Sequence, residues 1–218
     1  MRPMMRSARG AMIGSVERYT AEQIQVFSFE EHVRARPAMY FRVARESPEL
    51  PTEILQQVVW DALHHRDGTH GQVRVEIESD LVFSVEDDQR RPGDEQGKPL
   101  PGFFGSLLDE ERWAPATAAA LSVRTVVEVR LDGRGFRQEL AGALSAGDWE
   151  EFATSKPSGT RTTFQLDPSY CGPDEAIAWS LRPEDLHGRE CDANPSPVTF
   201  SVHDIHDLRA EAENSAGE

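Results

Sequence analysis

Val73-Arg74-Val75-Glu76-Ile77-Glu78 alternates apolar and charged side chains with a period of two. That period sets Val73, Val75 and Ile77 on one face of a strand and the charges on the other. Ser79-Asp80 then turns the chain into Leu81 to Glu86, which predicts a hairpin. Upstream, Ile54, Leu55, Val58, Val59, Ala62 and Leu63 recur at helical spacing and form one apolar stripe, with Pro51-Thr52 as the start signal. Downstream, Val123 to Leu131 reads as a β-branched strand, Asp132-Gly133-Arg134-Gly135 as a turn, and Phe136 to Leu140 as its partner. Thr160 to Leu166 alternates again, a helix is expected between Pro173 and Leu181, and Val198 to Val202 closes as a last strand. These elements predict an α+β fold, a two-layer sandwich of a mostly antiparallel sheet with helices on one face.

The 218 residues suit one domain with tails and leave no room for a second large one. Residues 1–17 are rich in Met, Arg, Gly and Ser without apolar periodicity and are expected to be a flexible arm. Residues 18–205 carry the domain, and 206–218 read as a disordered acidic tail. A net charge of -15 opposes autonomous DNA binding, which draws its affinity from Lys and Arg on phosphates. Two cysteines, Cys171 and Cys191, make no disulfide framework and suit reduced thiols in a cytoplasmic protein. No stretch reads as a signal peptide or a membrane span. His64, His65, His70, His203 and His206 do not combine with the cysteines at zinc-ligand spacing, so no metal centre is expected from them.

Tyr19, Ile24 and Val26, followed by Val33-Arg34-x-Arg36-Pro37-x-Met39-Tyr40, resemble the opening of the ATPase domain of the bacterial gyrase B and topoisomerase IV subunit, a domain of the GHKL type. Asp87-Asp88-Gln89-Arg90-Arg91-Pro92 and Gly159-Thr160 extend the resemblance over most of the chain. The resemblance implies a first-helix Glu acting as general base and an Asn one turn later holding magnesium. Here Gln57 and Asp61 occupy those places, four residues apart and so on one helix face. A neutral Gln cannot take a proton from water, and loss of a general base removes about two to four orders of magnitude in rate. Asp61 keeps an oxygen ligand for magnesium.

The resemblance further implies that Asp87 reads the adenine amino group of ATP or ADP and that Thr160, after Gly159, supports it. Gln89 and Arg91 fill the two places where the family has glycine, crowding the pocket floor. The Gly-rich phosphate lid is missing; Pro115 lacks a backbone N–H, and Phe103, Phe104 and Trp113 are expected to plug the vacated cleft. A helix over Ala116 to Leu121 leaves one N-terminus for an anion. Tyr19 lies in the arm that reaches the other subunit in the resembled enzymes, which implies self-association. Without the resemblance, Gln57 and Asp61 read as a solvated helix edge, Asp87-Asp88 as a polar turn and Gly159-Thr160 as a turn-to-strand junction.

The leading expectation is a catalytically degenerate domain that binds adenine nucleotide weakly or binds a protein partner. A second is a nucleotide-independent inhibitor or decoy of a type II topoisomerase, whose acidic surface suits a basic partner. A third is an active ATPase in which Glu53, one turn before Gln57, serves as base.

Overall fold

The computed structural model describes residues 26–63, 72–88, 93–99, 113–172, 174–178 and, as backbone, 200–204. The arm with Tyr19, the tail, Gln89, Arg91, Phe103, Phe104, His64, His65, His70, His206 and Cys191 lie outside them.

Helix α1 (Phe29–Ala35) starts from a capping box: Ser28 Oγ accepts the Glu31 N–H, and the Glu31 carboxylate accepts the Ser28 N–H. Pro37, without an N–H to lose, opens α2 (Pro37–Phe41). The periodic stretch forms α3 (Leu50–Leu63), burying the expected apolar stripe. The hairpin follows as β1 (Val73–Ser79) and β2 (Val82–Asp87). Then come α4 (Trp113–Ala120), β3 (Ser122–Leu131), β4 (Arg134–Ala141), β5 (Leu144–Ser145), β6 (Glu150–Ala153), β7 (Gly159–Leu166), α5 (Pro168–Cys171) and β8 (Phe200–Asp204).

The strands form one sheet in the order β5-β4-β3-β7-β2-β1-β8, with β6 also on β4. All pairs are antiparallel except β1 with β8, which is parallel. Helices on this sheet make a two-layer α+β sandwich. Phe83 and Phe164 face each other across β2 and β7 with stacked rings 5.1 Å apart, a pair worth about 0.5–1.5 kcal/mol beyond its buried area. Phe41, Ile54, Leu55 and Phe136 are fully buried around it.

Three local expectations are corrected. The β3–β4 turn is Asp132-Gly133 alone, both at positive φ, while Gly135 belongs to β4 with the Phe152 ring of β6 against it. Helix α4 begins at Trp113, not Ala116, because Pro115 is tolerated in a first turn. The helix expected between Pro173 and Leu181 is not formed over 174–178; the Ile177 N–H goes to the Asp80 carbonyl and the Ala178 N–H to Thr52 Oγ1, each at 2.8 Å. Those donors are spent on tethering, and the local helix is instead α5, capped by Asp167 and opened by Pro168.

Candidate functional site

The inner, helix-covered side of β2 and β7 changes character along its length. Phe83 opposes Phe164, Val85 opposes Thr162, and at the end Asp87 opposes Thr160. The period-two alternation that sinks Phe83 and Val85 into the core therefore sinks Asp87 too, to 3% exposure, with Thr160 at 2%. Both are engaged by other groups, as a buried polar pair must be. The two residues expected to act together are thus brought together by strand register.

Gly159 is what lets them meet. Its φ is +124°, a region that side chains rarely adopt, and an added Cβ would come within 2.5 Å of the Asp87 carbonyl oxygen. Beyond it, the segment before β7 is tied down at three points: Lys156 pairs with the Glu86 carboxylate, the Pro157 carbonyl accepts from Gly133 N–H at 3.1 Å, and Ser158 Oγ donates to the Asp88 carbonyl at 3.2 Å. A cavity of about 470 Å³ opens beside Asp87, lined by residues 72–74, 86–88 and 156–158.

On α3, Glu53, Gln57 and Asp61 stand in one row at the edge of the apolar stripe, all half-buried. Burial, with the nearby Glu49 charge, raises the Glu53 carboxyl above its ordinary range against the pull of Arg42. Gln57, Asp61 and Thr160 do not line the cavity beside Asp87. Trp113, expected to plug the cleft, packs instead on Tyr40, rings 6.3 Å apart, and Tyr40 hydrogen-bonds His32 Nδ1 through its hydroxyl at 2.7 Å. Among the described residues no group of three or more His, Cys, Asp and Glu side chains is placed to hold a metal ion. Cys171 is buried, and burial together with Glu175 and Asp167 pushes its thiol pKa up to about 12, which leaves it inert as a nucleophile.

The Arg34-x-Arg36-Pro37-x-Met39-Tyr40 stretch lies elsewhere. Arg34 Nε donates to Glu30 at 3.1 Å and to the Ala120 carbonyl at 2.9 Å, and its Nη1 donates to Asp167 at 2.9 Å. Tyr170 returns a bond from its hydroxyl to the Arg34 carbonyl at 2.8 Å, and the Arg34 and Arg45 guanidiniums stand 5.2 and 4.5 Å from its ring centroid. One side chain so joins α1, the end of α4 and the start of α5. Nothing in the sequence alone marked Asp167 as the partner, since it lies 133 positions away.

The outer side of the sheet carries a row that sequence reasoning missed. Across β6, β4, β3, β7, β2 and β1, neighbouring register positions hold Glu150, Arg137, Glu128, Arg161, Glu86 and Arg74, alternating in sign. Opposite charges on adjacent strands support the pairing. Glu86 is well enclosed among these acceptors, bound by Arg130 at 2.8 Å as well as by Lys156. Burial would raise its carboxyl, but the Lys156 hydrogen bond and the Arg130, Lys156 and Arg161 charges hold it below the usual range.

No family model matches the chain. Over 173 residues it is 31% identical to the B subunit of the type 2 topoisomerase of Aquifex aeolicus, covering 70% of this chain and 22% of that protein. Over 174 residues it is 27% identical to the B subunit of DNA topoisomerase 4 of Pseudomonas aeruginosa, covering 70% of this chain and 27% of that protein. The chain is therefore similar, over most of its length, to about a quarter of the length of type II topoisomerase B subunits. No described helix is long and apolar enough to cross a membrane.

Proposed function

We propose that this chain is a gyrase-B-like ATP-binding domain that has lost hydrolysis and works by binding adenine nucleotide weakly. The observation that carries this reading is the register pairing of Asp87 with Thr160 at the buried end of β2 and β7, beside a cavity of about 470 Å³. A carboxylate in such a place can accept the adenine amino group, while a Thr hydroxyl can steady it. Gln57 stands where a base is needed and has none to offer. The topoisomerase relatives lend the comparison its direction, and their full activity does not come with it, because the match spans 22% and 27% of them. Titration calorimetry with ATP, ADP and a non-hydrolysable analogue, run beside a phosphate-release assay, tests it. The expected result is heat of weak binding with release at background; turnover at ordinary enzyme rates overturns it.

A second reading, an interaction protein that inhibits or mimics a topoisomerase subunit, is favoured by the depth at which Asp87 and Thr160 are buried, which leaves a ligand little of either to touch. Co-elution with purified gyrase subunits, or a changed supercoiling rate in the absence of nucleotide, distinguishes it from the first. A working ATPase based on Glu53 is the third; its carboxyl is shifted in the direction a base requires. An unchanged phosphate-release rate in Glu53→Gln removes it.

A further inference from the structure

Residues 174–178 form a strap between the two layers of the sandwich. The Ile177 N–H donates to the Asp80 carbonyl in the β1–β2 turn, and the next N–H, of Ala178, donates to Thr52 Oγ1 in the first turn of α3, each at 2.8 Å. One bond holds the sheet and the other the helix layer, while the Ile177 side chain is fully buried in the core. Two residues before that anchor, Glu175 folds back over the end of α5, where Gly172 leaves it room: a Cβ at Gly172 would meet Glu175 Oε1 at 3.2 Å. Its other oxygen, Oε2, is shut away from solvent and accepts no hydrogen bond among the described residues. A carboxylate in that state is costly when ionised and much less so when protonated.

The charged groups around Glu175 do not relieve it. Arg45, from the stretch before α3, attracts it but spends its guanidinium on the Tyr170 and Ser169 carbonyls, at 3.2 and 3.4 Å. Glu46 repels it, and the buried Cys171 thiol of α5 stays neutral and offers no countercharge. Asp167 at the α5 N-cap, Asp80 at the turn and neighbouring Asp174 add only negative charge. Burial first, and Glu46 after it, raise the Glu175 carboxyl above its ordinary 4.5 against the pull of Arg45.

We propose that Glu175 makes the strap a pH-sensitive fastening: protonated, it lets residues 174–178 lie down on the hairpin turn and α3; ionised, it loosens both ties together. An opened strap returns Glu175 to water and to its ordinary 4.5, so the closed form holds the proton more tightly. That advantage is complete below 4.5 and is lost as pH rises through the higher value of the closed strap. What the fastening governs is access to the first turn of α3 and to the Asp80 turn. No part of the strap lines the Asp87 cavity, so it works without a nucleotide.

Hydrogen exchange in the full chain, expressed as protection relative to a free peptide, reads the two ties at the Ile177 and Ala178 amides. Protection of both should fall together from about pH 5 to about pH 7.5, while amides of β7 hold constant. In Glu175→Gln the fall should vanish, and protection at the upper pH should rise at least about fivefold, the low end of what an unsatisfied buried acceptor costs. Glu46→Gln should move the fall to lower pH, because it removes a charge that repels Glu175. Carboxyl-detected NMR of the wild type should show Glu175 titrating above the exposed glutamates. Protection that stays flat with pH in the wild type, or falls as steeply in Glu175→Gln, overturns the proposal. So does a Glu175 titration at or below 4.5, the sign that a water or another group already satisfies Oε2.

Discussion

Arg34 and Asp87 both sit in stretches that resemble the same enzyme domain, yet the fold uses them in opposite ways. Around Arg34, the polar groups are turned toward their own chain: three donated bonds, one returned by Tyr170, and two guanidiniums on one ring. Around Asp87, Lys156 is paired with Glu86 and Ser158 donates to the Asp88 carbonyl, and these residues border open volume together with Asp87. One motif has become a joint between helices and the other borders a space that something else can enter. A retained motif therefore says nothing by itself about retained chemistry; what its atoms touch decides.

The contrast breaks most visibly at Arg34. In Arg34→Ala, Asp167 keeps a buried carboxylate without its cation, and stability should drop by about 2–3 kcal/mol, read by urea melts. The acid limb should move too. Burial alone would push the Asp167 carboxyl up, but hydrogen bonds from Ser169 and Arg34, with the Arg34 charge, carry it below its ordinary 3.8. Its contribution is therefore complete above that value and is lost as pH falls through the lower folded one, so the variant should begin to unfold at higher pH than the wild type. Nucleoside selectivity should not change, and a change would mean that the two regions are coupled.

Gly159→Ala sharpens the other side. A non-glycine residue at φ +124° with the Asp87 carbonyl 2.5 Å from its Cβ should cost about 1–3 kcal/mol and shift Thr160 off Asp87, seen as lost adenosine binding at a temperature where the variant is still folded. Retained binding would show that the pair need not be in register. The smallest effect is expected at Gln57→Glu: restoring a carboxylate on α3 should leave phosphate release at background. A measurable rise would show that the base was the missing part.

Much of the fold was legible because its strands are half-buried. In β1, β2, β3 and β7 the alternation of residues such as Val75 with Glu76 states which side is wet, and α3 states its stripe. The Asp132-Gly133 turn declared itself through residues that accept positive φ. Shorter pieces did not: β5 and β6 are two and four residues long, too brief to show a period. Residues 174–178 failed the helix expected of them because Asp80 and Thr52 take their N–H groups, a fact that exists only once the hairpin and α3 are placed. For the candidate site, Asp87, Gly159 and Thr160 were singled out through the resemblance alone, since by themselves they read as a polar turn and a turn-to-strand junction; that Asp87 lies opposite Thr160 is a matter of strand register. Glu86, Arg130 and Lys156 were not singled out, because what they do depends on register between strands that are far apart in the chain.

The parallel pairing of β1 with β8 carries a consequence for how the protein is made. A ribosome releases Val73–Ser79 long before Phe200–Asp204, and through that interval one side of β1 shows a row of bare amides and carbonyls that any passing strand could capture. Fragments ending short of Phe200 should accordingly aggregate or be held by chaperones, and that exposure ends only when β8 covers the open side of β1.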